Sequence, residues 1–110
     1  MIEIRDGSTK RWTIDPRAFG YGGGTPADIA GGPPAANAAT VVKVLRGDGN
    51  SPATAAVVLN AAAALYVSSG GPTEFGDAVV AARAGLQDGA GLRALERLRA
   101  AYGRAEPGAD

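Results

Sequence analysis

Ile2 and Ile4 alternate with polar residues on one side of Asp6-Gly7, and Trp12 and Ile14 do the same on the other. Alternation of period two marks a half-buried strand. An Asp-Gly pair between two such runs is a strong short-range hairpin signal. A lone hairpin is marginal in water, so this one is expected to lean on another element. Asp15-Pro16 ends the second strand, because proline cannot donate to a ladder. The glycine-rich run Phe19-Gly20-Tyr21-Gly22-Gly23-Gly24 then reads as a loop.

Beyond the loop the period lengthens to that of helices. Thr25-Pro26-Ala27-Asp28 has a threonine cap followed by proline in the first turn, which predicts a first helix ending at Gly31-Gly32. A second is expected from Pro33-Pro34, with Ala38, Val41, Val42 and Leu45 on its inner face, broken by residues 47–50. Ser51-Pro52 repeats the cap-plus-proline start. Residues 53–67 are then apolar nearly all round, as in a central core helix. Residues 68–72 end it, and Thr73 is expected to cap a fourth helix with Phe75, Val79, Ala82 and Leu86 inward. Glu74 and Asp77 lie near its positive end. After residues 89–91 a last helix carries Leu92, Leu95, Leu98 and Tyr102. Residues 106–110 are expected to fray. The predicted class is α+β and mostly helical: an N-terminal β-hairpin and about five helices, forming a single domain over residues 1–105.

Composition narrows the chemistry. The 110 residues include 11 basic and 11 acidic side chains, so there is no basic field for nucleic acid or an anionic membrane. Residues 53–67 are short for a bilayer and interrupted by Thr54 and Asn60. No secretion signal is visible in the first residues, and a soluble, cytoplasmic protein is expected. Cysteine and histidine are both absent, which removes thiolate metal sites and the commonest general base. Only 5% of residues are aromatic, so a core rich in alanine and glycine must pack its helices closely.

Five strings in order carry a resemblance. They are Asp15-Pro16-Arg17-Ala18-Phe19-Gly20 and the glycine pair Gly31-Gly32 leading to Asn37-Ala38. The apolar helix from Val58 through Asn60 to Tyr66, the alanine-rich Asp77-Ala78-Val79-Val80-Ala81-Ala82-Arg83, and Asp88-Gly89 before a leucine-rich helix complete the set. Over roughly residues 2–101 the chain resembles the C-terminal third of anthranilate phosphoribosyltransferases. Three positions depart from the family pattern: Pro33 replaces an acidic residue, Ala36 a glutamate and Asp88 a serine. These departures are expected to weaken helix-end hydrogen bonding.

The resemblance implies an enzyme of tryptophan biosynthesis that joins anthranilate to phosphoribosyl pyrophosphate. It also implies that this region packs on a large α/β domain, with the hairpin joining or flanking its sheet. The pyrophosphate loop and the acidic pair that holds magnesium belong upstream of the matched region. Magnesium and phosphoribosyl pyrophosphate are therefore expected for the complete enzyme, and no catalytic, cofactor or metal residue is assigned in this chain. The residues singled out as structural motifs are Gly31, Gly32, Asn37, Asn60 and Tyr66.

Each candidate has a bland reading beside the functional one. The run from Gly20 to Thr25 superficially resembles a phosphate loop, but it follows a hairpin and no lysine succeeds it, so a connector is expected. Asn37 is expected to bond free backbone groups near a helix start. Asn60 is expected to bond backbone of a neighbouring element, since an unpaired buried amide costs about 1–3 kcal/mol. Trp12 and Tyr66 have the chemistry to stack on an aromatic substrate, but Trp12 is expected to be a packing anchor. Lys10, Arg11, Arg93, Arg97 and Arg99 read as solvated faces.

Three readings stay open. The chain is a fragment or split half of the transferase, with the missing N-terminal part as its partner. Alternatively it is a stand-alone, non-catalytic module that associates with itself. Least supported is a small-molecule binder using Trp12, Tyr21 and the glycine loop.

Overall fold

The computed structural model describes residues 1–68 and 74–105. Strands β1 (Ile2–Arg5) and β2 (Ser8–Arg11) form an antiparallel hairpin, followed by α1 (Pro34–Leu45), α2 (Ser51–Ser68), α3 (Phe75–Gln87) and α4 (Ala90–Ala105). The expected ends of α2 at residues 69–72, the cap at Thr73 and the tail 106–110 lie outside the described residues. The first of the five predicted helices is a single 3₁₀ turn, Pro26–Ile29, and a second 3₁₀ turn spans Pro16–Phe19. Four residues bounded by proline and the Gly31-Gly32 pair are too few for a stable α-helix.

The hairpin turns where its sequence says it should. Arg5 pairs with Ser8, leaving Asp6 and Gly7 as a two-residue loop. Both have positive φ, at 49° and 77°. That is the signature of a type I′ turn, which matches strand twist and favours Asp-Gly. The assigned strand ends at Arg11, Trp12 still pairs with Met1 through its N–H at 3.1 Å, and Trp12 and Ile14 pack their side chains against the helices.

The core is a seam between α2 and α3. Val58 and Ala62 meet Phe75, Ala78 and Val79, all nearly inaccessible to water. Small side chains here let two backbones approach closely, and the volume is completed by Phe75 at the end of the seam. Its ring lies edge-on to Trp12, Phe19 and Tyr66, with centroids 5.3, 5.5 and 5.9 Å away.

Two helices pack differently from the sequence expectation. In α1 the buried side chain is Val44, while Val41 is 49% exposed. Only the C-terminal end of α1 reaches the body, and there Gly49 sits so close to Val44 that a Cβ would lie 2.6 Å from its Cγ2. In α2 only Val58 and Ala62 are buried, and Val57, Leu65 and Val67 face outward. The expected central core helix is therefore covered on one side only. The helix is also longer than expected: its 18 residues are enough by length and composition to cross a bilayer. Its packing against α3 is the arrangement of a half-covered core helix.

The chain exposes 7638 Å². A compact monomer of its mass exposes about 5,600 Å². Its radius of gyration, 16.4 Å, likewise exceeds the ~13 Å of a compact chain of this length.

Replacing Phe75 by alanine removes the shared partner of three rings and leaves a void at the end of the core. Phe75→Ala is expected to cost about 3–5 kcal/mol, which nearly exhausts the stability of so small a core. Val80→Ala, at a position 63% exposed, is expected to cost less than about 0.5 kcal/mol. Urea denaturation followed by circular dichroism measures both, and equal effects would contradict the assignment of the core.

Candidate functional site

The polar groups best held by the fold lie where the hairpin meets α2. Glu3 is on the face of β1 that looks toward the helices. Its carboxylate accepts from the Tyr66 hydroxyl at 2.9 Å, the Trp12 indole N–H at 3.2 Å and the Arg5 guanidinium at 2.7 Å. Tyr66 and Trp12 also meet edge to face, 5.9 Å apart. The two aromatics considered for substrate stacking are thus turned on each other and on Phe75.

Three donors on one carboxylate favour its charged form. The Tyr66 hydrogen bond is the largest cause, opposed by desolvation and aided by Trp12 and Arg5, and together they hold the Glu3 carboxyl below its ordinary range. The Tyr66 phenol moves the other way, raised first by its bond to Glu3 and then by burial. The stabilisation linked to Glu3 is full above the ordinary carboxylate range and is lost as pH falls through the depressed value. That linked to Tyr66 is full below the ordinary phenol value and is lost as pH rises through the raised one. The seam is thus predicted to hold from mildly acid to mildly alkaline pH.

A second polar bracket ties the glycine loop to α3. The Arg83 guanidinium donates to the Tyr21 hydroxyl at 3.1 Å and the Phe19 carbonyl at 2.7 Å, with its carbon 5.0 Å above the Tyr21 ring. Gly20 and Gly23 take the positive φ values that the loop needs on either side of Tyr21. Arg17, Tyr21, Gly22, Pro26, Pro52 and Leu59 line an open groove of about 450 Å³ beside it.

The motif residues do not converge on one site. Gly31, Gly32 and Asn37 form a small exposed knot before α1. The Gly32 N–H donates to the Asn37 side-chain oxygen at 2.8 Å, and the Asn37 amide donates back to the Gly32 carbonyl at 2.9 Å. Gly31 passes close to the same amide. Asn60 is midway along α2, exposed, and donates to the Ala56 carbonyl one turn back at 2.8 Å. Its partner is its own helix and not a neighbouring element, because that face of α2 is open to solvent. Tyr66 alone reaches the seam.

Helix ends also differ in detail from the sequence expectation. Asn50, not Ser51, caps α2 by accepting from the Ala53 N–H at 2.8 Å. Asp88, expected to weaken a helix end, accepts from the Ala90 N–H at 2.9 Å at the start of α4. Its carboxylate does what a serine cap would do, and it suits the positive helix terminus.

Sequence reasoning missed Glu3 and Arg83. The signal for Glu3 was its place between two isoleucines, which puts it on the opposite face of the strand. For Arg83 it was an isolated cation beside the inward position Ala82. Among the described residues no three acidic side chains gather to hold a metal ion. Asp77 and Asp88 lie at opposite ends of α3.

Residues 1–92 match the model of the glycosyl transferase family, a/b domain. The chain belongs to that family. Among curated relatives it is 41% identical over 101 residues to the anthranilate phosphoribosyltransferase of Anaeromyxobacter dehalogenans (strain 2CP-C), covering 92% of this chain and 29% of that protein. It is 39% identical over 98 residues to the anthranilate phosphoribosyltransferase of Methylobacterium nodulans, covering 89% and 28%. It is 39% identical over 97 residues to anthranilate phosphoribosyltransferase 2 of Streptomyces coelicolor, covering 88% and 28%. The chain therefore spans less than a third of the length of the curated relatives it matches. No solved structure matches it.

Tyr66→Phe deletes the largest cause of the Glu3 shift while keeping the ring. The Glu3 carboxyl is expected to titrate closer to its ordinary range, as followed by the carbon-13 shift of its side-chain carboxyl. An unchanged titration would show that the Tyr66 hydroxyl does not hold Glu3.

Proposed function

We propose that this chain is the C-terminal scaffolding segment of a phosphoribosyltransferase that joins anthranilate to phosphoribosyl pyrophosphate in tryptophan biosynthesis. The chain completes the enzyme's α/β domain and is inactive by itself. The observation that carries this reading is incompleteness on two scales. The matched relatives are more than three times as long as the match, and the fold exposes roughly 2,000 Å² more than a compact monomer of its mass. A surface of that size suits a large permanent interface, which takes well over ~800 Å² from each partner.

In this reading the pyrophosphate loop, the acidic pair and bound magnesium belong to the rest of the enzyme. The hairpin, its aromatic seam and the Arg83 bracket fix the shape that the rest packs against. The chain is soluble and cytoplasmic, and the open side of α2 faces protein. Self-association as a non-catalytic module is the second reading. It is favoured by the outer half of α4, where Leu98 and Tyr102 are 64% and 68% exposed.

A steady-state assay of the isolated chain with anthranilate, phosphoribosyl pyrophosphate and magnesium is expected to show no product above the blank. Co-expression with the remaining portion of the Anaeromyxobacter dehalogenans relative is expected to yield an equimolar complex that turns over. Activity of the chain alone, or failure of the two pieces to associate, would overturn the proposal.

A further inference from the structure

A pocket of about 370 Å³ opens where the ends of α1 and α3 meet the first turn of α2. Its lining side chains are Tyr21, Arg46, Thr54, Arg83, Leu86 and Gln87, beside the Gly47 backbone. Cavities of roughly 300–1,000 Å³ hold small organic ligands. Every polar side chain in the lining can donate a hydrogen bond, and none is a carboxylate.

Arg83 is half-buried. Its Nε–H and a terminal N–H are taken by the Tyr21 hydroxyl and the Phe19 carbonyl. Both acceptors are neutral, so these bonds aim the guanidinium without cancelling its charge. Its other N–H groups are left for a ligand. Arg46 is exposed, at the end of α1. Among the described residues the Arg46 guanidinium, the Thr54 hydroxyl and the Gln87 amide have no hydrogen-bond partner, and neither arginine forms an ion pair. Cations at helix C-termini can simply answer the carbonyls there. Each such end carries only about half a negative charge, so two guanidiniums exceed the ends of α1 and α3 together. The acidic residues nearest in sequence, Asp48 and Asp88, stand outside the lining. The Asp88 carboxylate is engaged at the start of α4 by the Ala90 N–H and Arg93.

We propose that this pocket binds a phosphate group, as the free ion or as a small organic monoester. Two forked guanidiniums suit a tetrahedral oxyanion, which accepts several charge-assisted bonds at once. A lone carboxylate has two oxygens in one plane and would leave donors unused. Leu86 and the Tyr21 ring supply an apolar wall for the organic part of an ester. The pocket is built wholly from this chain, so the chain alone tests it, whatever larger enzyme it completes.

The probes are inorganic phosphate and phenyl phosphate, titrated into the full chain at constant ionic strength and followed by nitrogen-15 amide shifts. Phosphate is expected to move the Gly47, Thr54 and Gln87 amides along one saturable curve. Arg46→Gln, at an exposed position, is expected to weaken binding about tenfold, the loss of one charge-assisted bond. Arg99→Gln, exposed on α4 and outside the pocket, is expected to change it less than about twofold. Tighter binding of phenyl phosphate assigns the site to an ester, and equal binding assigns it to the free ion. The absence of a saturable shift, the same shifts with sodium chloride alone, or equal losses in the two variants would overturn the proposal.

Discussion

One phenylalanine ring holds the two halves of this molecule together. Phe75 begins α3, and its edges and faces meet Trp12 from the end of the hairpin, Phe19 from the 3₁₀ turn and Tyr66 from the far end of α2. Each edge-to-face pair is worth roughly 0.5–1.5 kcal/mol beyond the area it buries. The strands contribute four paired positions and Met1–Trp12 a fifth, too few for a hairpin to persist alone. Its persistence derives from this contact and from the Glu3 carboxylate, which accepts from Tyr66, Trp12 and Arg5.

The rest of the fold follows from the scarcity of large side chains. The α2–α3 seam is made of valine and alanine, which permits close approach but buries little area per residue. Glycine serves the same end where α1 turns back at Gly49 and where Leu45 lies over Gly91. A core so thin covers one side of α2 and one end of α1. The opposite sides stay open, and with them the isoleucine face of the hairpin. The exposed apolar surface and the close-packed seam are two consequences of one composition.

Much of this was legible in the sequence, and the exceptions have physical causes. The Asp6-Gly7 turn could be read directly because few residue pairs tolerate two positive φ angles. The four α-helices were legible from apolar spacing and from the breaks at Gly47 and Gly89, both with positive φ. The buried face of α1 was legible only in part: Val42 and Leu45 of the expected set are half-buried, whereas Ala38 and Val41 are exposed. The periodic set Ala38, Val41, Val42 and Leu45 assumes a helix lying flat on a core, whereas α1 touches its neighbours only near Val44. The burial of α2 was overestimated for a related reason: an apolar sequence states what a helix can bury, not what is there to bury it. Asn60 looked like a buried amide in need of a partner, and exposure removed the need. Glu3 and Arg83 gained their roles from contacts 63 and 62 residues away in the chain, to Tyr66 and Tyr21, and no local pattern encodes such contacts.

The central claim is that the aromatic seam holds the hairpin on the helices. Amide hydrogen exchange of the isolated chain tests it most directly, residue by residue. Met1 and Trp12 are a hydrogen-bonded pair, and such pairs alternate along an antiparallel ladder. The account predicts alternating protection along β1: slow exchange at Glu3 and Arg5, which bond inward to β2, and fast exchange at Ile2 and Ile4, which point outward. Equal lack of protection at all four would show that the aromatic seam does not hold the hairpin, and would contradict the account.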